Sequence, residues 1–253
     1  MRILLTNDDG ISAPGLLALA EALHAAGHCL SVCAPHVERS GASHSIAIGR
    51  PLRAAAVPYP HALNAWQVEG TPADCASLGL YLTREDPVDM VIAGINRGMN
   101  LGGACVYSGT VAAAMEGAMG GVQALAVSLH IDPADPHEDY AAAARLAVRV
   151  SEWMRSHPLP RGCIYNLNVP SLPYGEIRGL VPARLAPVFL SKPDYRKVSD
   201  ENGDSYRFVY HKVPLNDPEF DMCRIQQGYA TITKLTWDMR MPGNDDELLE
   251  IGL

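Results

Sequence analysis

The chain has 253 residues, 48% of them apolar and 19% charged, which excludes wholesale disorder and is enough for one large domain with a substantial core. Its 20 basic and 28 acidic residues give a formal net charge of −8, which excludes a protein that coats nucleic acid by charge alone. The acidic balance does not exclude a phosphorylated substrate held with the help of a divalent cation.

Residues 1–6 contain the apolar run Ile3-Leu4-Leu5 and stop at Asn7-Asp8-Asp9-Gly10, the pattern of a buried parallel strand ending in a turn. Ser12-Ala13-Pro14-Gly15 opens a helix whose apolar face is Leu16, Leu17, Leu19, Ala20 and Leu23, with Gly27 as its stop. Residues 28–35 read as the second strand, so the chain opens as a βαβ unit with a parallel sheet. A small polar loop follows over 38–45, then an expected inserted hairpin over 45–57 around Gly49-Arg50-Pro51. A short strand is expected at 66–69, and Thr71-Pro72-Ala73-Asp74 has the form of a capping box, with Asp74 as the capping carboxylate. The segment 87–93 reads as a buried strand running into Gly94-Ile95-Asn96. Ser108-Gly109-Thr110 starts an Ala-rich helix ending near Met119. A strand at 124–129, an amphipathic helix at 138–157 and a strand at 163–169 complete the alternation.

Beyond about residue 171 that alternation stops, and Pro173, Pro182, Pro187, Pro193, Pro214 and Pro218 punctuate strand-like pieces at 206–213 and 229–235. Such pieces are not expected to continue the core sheet. The division expected is a core at 1–170, an extended hairpin region for oligomerisation at 171–243 and an acidic tail at 244–253. No segment approaches the length of a membrane span, and the N-terminus meets Asn7 too early for a signal peptide. The six cysteines are scattered without a C-x-x-C, so reduced thiols in a cytoplasm are expected and a zinc site is not. Trp66, Trp153 and Trp237 read as core or interface residues.

Four polar clusters stand out: Asn7-Asp8-Asp9-Gly10, residues 39–43, Gly94-Ile95-Asn96 and Ser108-Gly109-Thr110. Three follow predicted parallel strands and the fourth opens a helix. All four are therefore expected on the rim where open α/β sheets bind ligands. Adjacent carboxylates are costly to bury, and a divalent cation removes the cost; oxygen donors select a hard ion such as Mg²⁺ or Mn²⁺. The same four residues also make a good turn, and both readings stand on sequence alone. Ser40 and Asn96 offer a hydroxyl and an amide oxygen to the same ion. The helix start at Ser108-Gly109-Thr110 offers free N–H groups to a phosphate. His44 lies in the serine loop as a candidate proton carrier or a surface residue, and Glu116 reads as helix surface or support to the site.

The stretches MRILLTNDDGISAPGLLAL, RSGASHS, VEGTPADCASLGL, DMVIAGINRGMNLG, VYSGTVAAAMEGA, ALAVS and NLNVP occur in that order over residues 1–170. With them the chain resembles the SurE family, the stationary-phase survival proteins. The resemblance implies a Rossmann-like three-layer α/β core with a mostly parallel sheet and a C-terminal hairpin exchanged between subunits. It implies one divalent ion, Mg²⁺ or Mn²⁺, at the positions of Asp8, Asp9, Ser40 and Asn96. It also implies hydrolysis of nucleoside 5′- and 3′-monophosphates, and in some members of short polyphosphate. The family usually has Asn where this chain has His44, and Thr-Pro-Leu where it has Thr233-Lys234-Leu235; residues 178–225 follow the family pattern poorly.

The mechanism this suggests is in-line attack of water on the phosphorus, with Asp8 and Asp9 as the catalytic acids. Asp9 is the better candidate to activate the water and Asp8 mainly a ligand. Asn96, Ser43, Ser108, Gly109 and Thr110 would hold the phosphate. Dimerisation or tetramerisation through the C-terminal region is expected; partners that are nucleic-acid polymers or membranes are not. Two other classes compete. A receiver-like signalling domain is about half this length and needs a phosphoacceptor Asp after its third strand. A metal-bearing nucleotide sensor without turnover is separated only by assay.

Overall fold

In the computed structural model, residues 1–131, 138–187, 194–200, 203–209, 215 and 217–239 are described. Eleven strands and five helices follow in chain order: β1 (Arg2–Thr6), α1 (Pro14–Ala25), β2 (Cys29–Pro35), β3 (Ala54–Ala56), β4 (Ala62–Val68), α2 (Pro72–Leu82), β5 (Met90–Arg97), α3 (Gly109–Met119), β6 (Gln123–Leu129), α4 (Ala141–Met154), β7 (Cys163–Val169), β8 (Leu180–Pro182), β9 (Asp194–Asp200), β10 (Gly203–Val209), α5 (Asp221–Gln226) and β11 (Ala230–Thr236).

Nine strands form one sheet in the order β3-β4-β2-β1-β5-β6-β7-β11-β8. The run from β4 through β7 is parallel throughout. Ile3, Leu5, Val32, Ile92 and Val127 point to one face and pack under α1 and α4. Leu4, Cys33, Val91 and Ala126 point to the other and pack under α2 and α3. Strands buried on both faces lose the usual alternation, which is why β1, β2 and β5 read as continuous apolar runs. The chain lays β2 and β4 to one side of β1, then crosses back to place β5 on the other. The sheet's topological switch point therefore lies between β1 and β5.

Several elements differ from the sequence reading. The expected hairpin over 45–57 contributes only the three-residue β3, an edge strand antiparallel to β4, and the rest of the segment is loop. The expected strand at 66–69 begins four residues earlier, at Ala62. Strand β5 continues through Asn96 to Arg97 across a register shift between Ala93 and Asn96. Gly94 makes this possible, with φ of 137° and a position where a Cβ would lie 2.3 Å from the Val127 carbonyl. The Gly94–Ile95 peptide is cis. Helix α4 starts at Ala141, so Glu138 precedes it. No tryptophan is fully buried: Trp66 packs partly buried against the core, while Trp153 and Trp237 are exposed.

The C-terminal region holds the largest correction. Strand β11 pairs antiparallel with β7 and parallel with β8, so this region does extend the core sheet. Strand β11 itself contains no proline, and Pro182 ends β8 at the sheet's edge, where a missing N–H costs no ladder bond. The expected hairpin is present as β9 and β10, a separate antiparallel pair. Part of the strand expected at 206–213, and the acidic tail from residue 244, lie outside the described residues.

Candidate active site at the switch point

Strand β1 ends at Thr6, and Asn7 turns the chain by donating from Nδ2 to the Gly10 carbonyl at 2.9 Å. Gly10 closes the turn at φ 99°, a conformation that L side chains rarely adopt. The turn delivers Asp8 and Asp9 onto the rim between β1 and β5. Asp8 is 4% exposed. Its backbone carbonyl accepts the Arg39 N–H at 2.7 Å, and its Oδ1 accepts the Thr110 hydroxyl at 2.5 Å.

The first turn of α3 presses against this carboxylate. A Cβ on Gly109 would stand 2.9 Å from the Asp8 Cβ and 3.1 Å from Oδ2, so only glycine admits the approach. Ser108 caps the helix, its Oγ accepting the Val111 N–H at 3.1 Å. The Gly109 and Thr110 N–H groups, one and two positions on, make no hydrogen bond among the described residues.

Burial raises the Asp8 carboxyl to about 6; the Thr110 hydrogen bond opposes that shift and the Asp9 charge adds to it. Burial also raises Asp9, against the stabilising Arg97 N–H, which donates to Asp9 Oδ2 at 3.0 Å. The charge of Glu38 pushes both carboxyls up.

Asn96 is buried at the end of β5, and its Nδ2 donates to the Gly98 carbonyl at 2.9 Å, leaving the amide oxygen as the available acceptor. Ser40 is exposed. Its hydroxyl donates to Glu38 at 2.6 Å and makes no hydrogen bond to either aspartate, although its neighbour Arg39 is tied to Asp8. Ser43 sits beside the start of α3, donating from Oγ to the Val106 carbonyl at 2.7 Å and from N to the Tyr107 carbonyl at 3.0 Å. His44 pairs through Nε2 with Glu116 Oε1 on α3 at 2.7 Å. Its side chain is 36% exposed, and it makes no hydrogen bond to either aspartate. Asp74 caps α2 as expected and also holds the segment just after the serine loop, accepting the Ala47 N–H at 2.8 Å.

Three features escaped the sequence reading. Arg97 bonds Glu138, which precedes α4. Asn100, Asn166, Asn168 and Ser128 form a buried network under the 101–108 loop. Asp221, fully buried, accepts backbone N–H groups of Gly102, Ala186 and Met222, joining α5 to that same loop. The alternating asparagines of an otherwise apolar β7 were a signal for the second feature. The other two are pairings across long stretches of chain and carry no local signal.

The donor set fits a hard divalent ion. Two crowded carboxylates with raised pKa, a free amide oxygen and nearby hydroxyls are oxygen ligands short of positive charge. Among the described residues there is no group of three or more His, Cys, Asp or Glu side chains able to hold a metal, so Ser and Asn oxygens would have to complete the shell.

Fold and site together define an α/β protein with an acidic, oxygen-lined site at the switch point of a parallel sheet. The chain belongs to the SurE family: the family model described as "Survival protein SurE" matches residues 3–191. A 5′-nucleotidase SurE from Synechococcus sp. (strain JA-3-3Ab) is 40% identical, over 100% of this chain and 98% of its own length. A 5′/3′-nucleotidase SurE from Serratia proteamaculans (strain 568) is 40% identical, over 94% and 91%. The crystal structure of the SurE protein from Aquifex aeolicus superposes with a TM-score of 0.86 at 30% identity, over 99% of both chains.

Proposed function

We propose that this chain is a phosphoric monoester hydrolase that converts nucleoside 5′- and 3′-monophosphates to nucleoside and phosphate with the help of one divalent ion, Mg²⁺ or Mn²⁺. The observation that carries this reading is the Asp8–α3 junction. A carboxylate pair, Asp8 buried and Asp9 half-buried, meets two N–H groups of the α3 start that make no hydrogen bond among the described residues, at the point where parallel sheets bind phosphorylated ligands. The names of the relatives support it.

Asp8, Asp9, Asn96 and Ser40 would hold the ion; Ser40 would have to release Glu38 to do so. The ion, when bound, supplies positive charge against the phosphoryl oxygens. The N–H groups of Gly109 and Thr110, with Ser43, Ser108 and Asn96, orient the phosphate for in-line attack. Asp9 is less buried than Asp8, which supports its carboxylate as the group that would take the proton of the attacking water. The Asp8 carboxylate, held by Thr110, stays a ligand.

Self-association as a dimer or tetramer is part of the proposal. Tyr195, Val198 and Tyr206 of the β9–β10 pair are exposed, and two strands without a core need a partner. The site of action is the cytoplasm. The six cysteines are free thiols, and among the described residues no helix is long and apolar enough to cross a membrane. The test is phosphate release from a panel of 5′- and 3′-monophosphates, with chelator and after adding back each ion. Release that follows the ion supports the reading. Binding without release would leave a nucleotide sensor.

A further inference from the structure

The acids that would hold a cation also repel the substrate. Asp8 and Asp9 stand together, Glu38 acts on both, and Glu138 acts on Asp9. A phosphate monoester brings up to two more negative charges, so charge complementarity calls for a protein cation on the same rim.

Arg97 is placed to be that cation. It ends β5, one residue after the buried Asn96, and 57% of its side chain is exposed. Its backbone N–H donates to Asp9 Oδ2 at 3.0 Å. Its Nε donates to Glu138 Oε1 at 2.5 Å, and the Tyr140 hydroxyl donates to Glu138 Oε2 at 3.1 Å. Glu138 is thus held at both oxygens and fixes one edge of the guanidinium. The group is planar, so anchoring Nε sets the plane of the remaining donors. Among the described residues neither Nη1 nor Nη2 makes a hydrogen bond. An ion pair this exposed contributes little to folding, so stability alone does not account for a three-residue clamp.

We propose that Arg97 is an anion-recognition residue of this site: its two terminal nitrogens take the substrate phosphate as a forked pair of hydrogen bonds, with Glu138 and Tyr140 as positioning residues. The proposal deepens the nucleotidase reading and rests on it for the identity of the anion. Arg97 acts twice, through its peptide N–H on Asp9 and through its guanidinium on the ligand. A side-chain substitution removes only the second action.

The experiment measures three quantities on the full chain loaded with Mn²⁺: inorganic phosphate affinity by calorimetry, KM and kcat for a nucleoside monophosphate, and Mn²⁺ affinity alone. Arg97→Ala is expected to weaken phosphate binding and raise KM by about tenfold or more, as for loss of a charge-assisted fork. Its Mn²⁺ affinity and circular dichroism should be unchanged. Arg97→Lys should recover part of the loss, because it keeps the charge without the fork. Glu138→Ala should weaken phosphate binding severalfold, and Glu138→Gln, which keeps an acceptor for Nε, should recover most of that. Arg39→Ala, at the other arginine of the rim, should leave phosphate affinity unchanged.

Unchanged phosphate affinity in Arg97→Ala, no phosphate binding by the wild type, or a larger loss in Arg39→Ala overturns the proposal. So does a parallel loss of Mn²⁺ affinity, which would mean that Arg97 acts through Asp9. Phosphate binding that depends on Arg97 in a protein that releases none from nucleotides would sink the nucleotidase reading and leave the anion site standing. Turnover that ignores Arg97 would do the reverse.

Discussion

The β1–β5 rim and the β9–β10 hairpin are built by opposite means. On the rim, backbone approaches so closely that side chains have no room to wander. Gly109 admits α3 to the Asp8 carboxylate, Gly94 admits β5 to β6, and Arg97 N–H and Thr110 Oγ1 each fix one aspartate. The hairpin has its own ladder, the Lys197–Asp204 ion pair, the Ser199–Asp204 hydrogen bond and an edge-on contact between Tyr195 and Phe208, with every residue of β9 exposed. The lesson is that this chain places rigidity where charge must be held against its own repulsion. It leaves the β9–β10 hairpin exposed.

The largest expected effect is on the rim. Asp8→Asn and Asp9→Asn each remove one charge from the ion's cage while keeping shape. Turnover at saturating Mn²⁺ should fall by about 100-fold or more, with circular dichroism unchanged. Near-normal turnover in either variant would remove that residue from the site. Gly109→Ala tests whether close approach matters as much as charge. The new methyl meets the Asp8 and Pro72 side chains at 2.9 Å, so one of them must move. The expected cost is about 1–3 kcal/mol of stability, with a loss of activity beyond what destabilisation explains. An unaltered variant would show that the junction has slack.

How much of this was legible beforehand depends on whether the cause is local. The Asn7–Gly10 turn, the Thr71–Asp74 capping box and the Ser108 cap are decided within four residues, and the structure has each of them. Asp8 and Asp9 were readable because paired acids at the end of an apolar strand conflict with burial. The extension of β5 was hidden, because Gly94 reads as a strand's end when it in fact bends the strand over Val127. Proline density misled at the C-terminus. The region's prolines fall outside β11, whose Ala230 is fully buried. The Arg97–Glu138, Asn100–Asn168 and Gly102–Asp221 links join residues 41, 68 and 119 positions apart, a relation no local pattern encodes.

A smaller effect concerns pH. In metal-free protein the folded Asp8 carboxyl titrates near 6, above its ordinary value of 3.8. The folded state therefore holds an extra proton between those values. Stability from this group is fully present below about pH 4 and is lost as pH rises through about 6, by on the order of 3 kcal/mol. Chemical denaturation of wild type and Asp8→Asn across pH 4–7 checks it: the difference between them should grow with pH in favour of the variant. A flat difference would mean that Asp8 is better solvated than its burial indicates.

The smallest effect on stability belongs to the hairpin. Replacing residues 194–209 with a short Gly-Ser link should shift the melting temperature by only a few degrees. In light scattering the same change should reduce the assembly to a smaller species. A large loss of stability in a monomeric parent would mean that the hairpin packs on its own core.

The most direct test of the central claim, that Asp8 and Asp9 hold an ion on which phosphate-ester hydrolysis depends, is a metal add-back on chelator-stripped protein. Phosphate release from a nucleoside monophosphate is followed as Mn²⁺ is titrated in, for wild type and Asp8→Asn. The account predicts no release from stripped wild type, saturable recovery with Mn²⁺, and little recovery in the variant. Full release from stripped protein, or equal recovery in both, would contradict it.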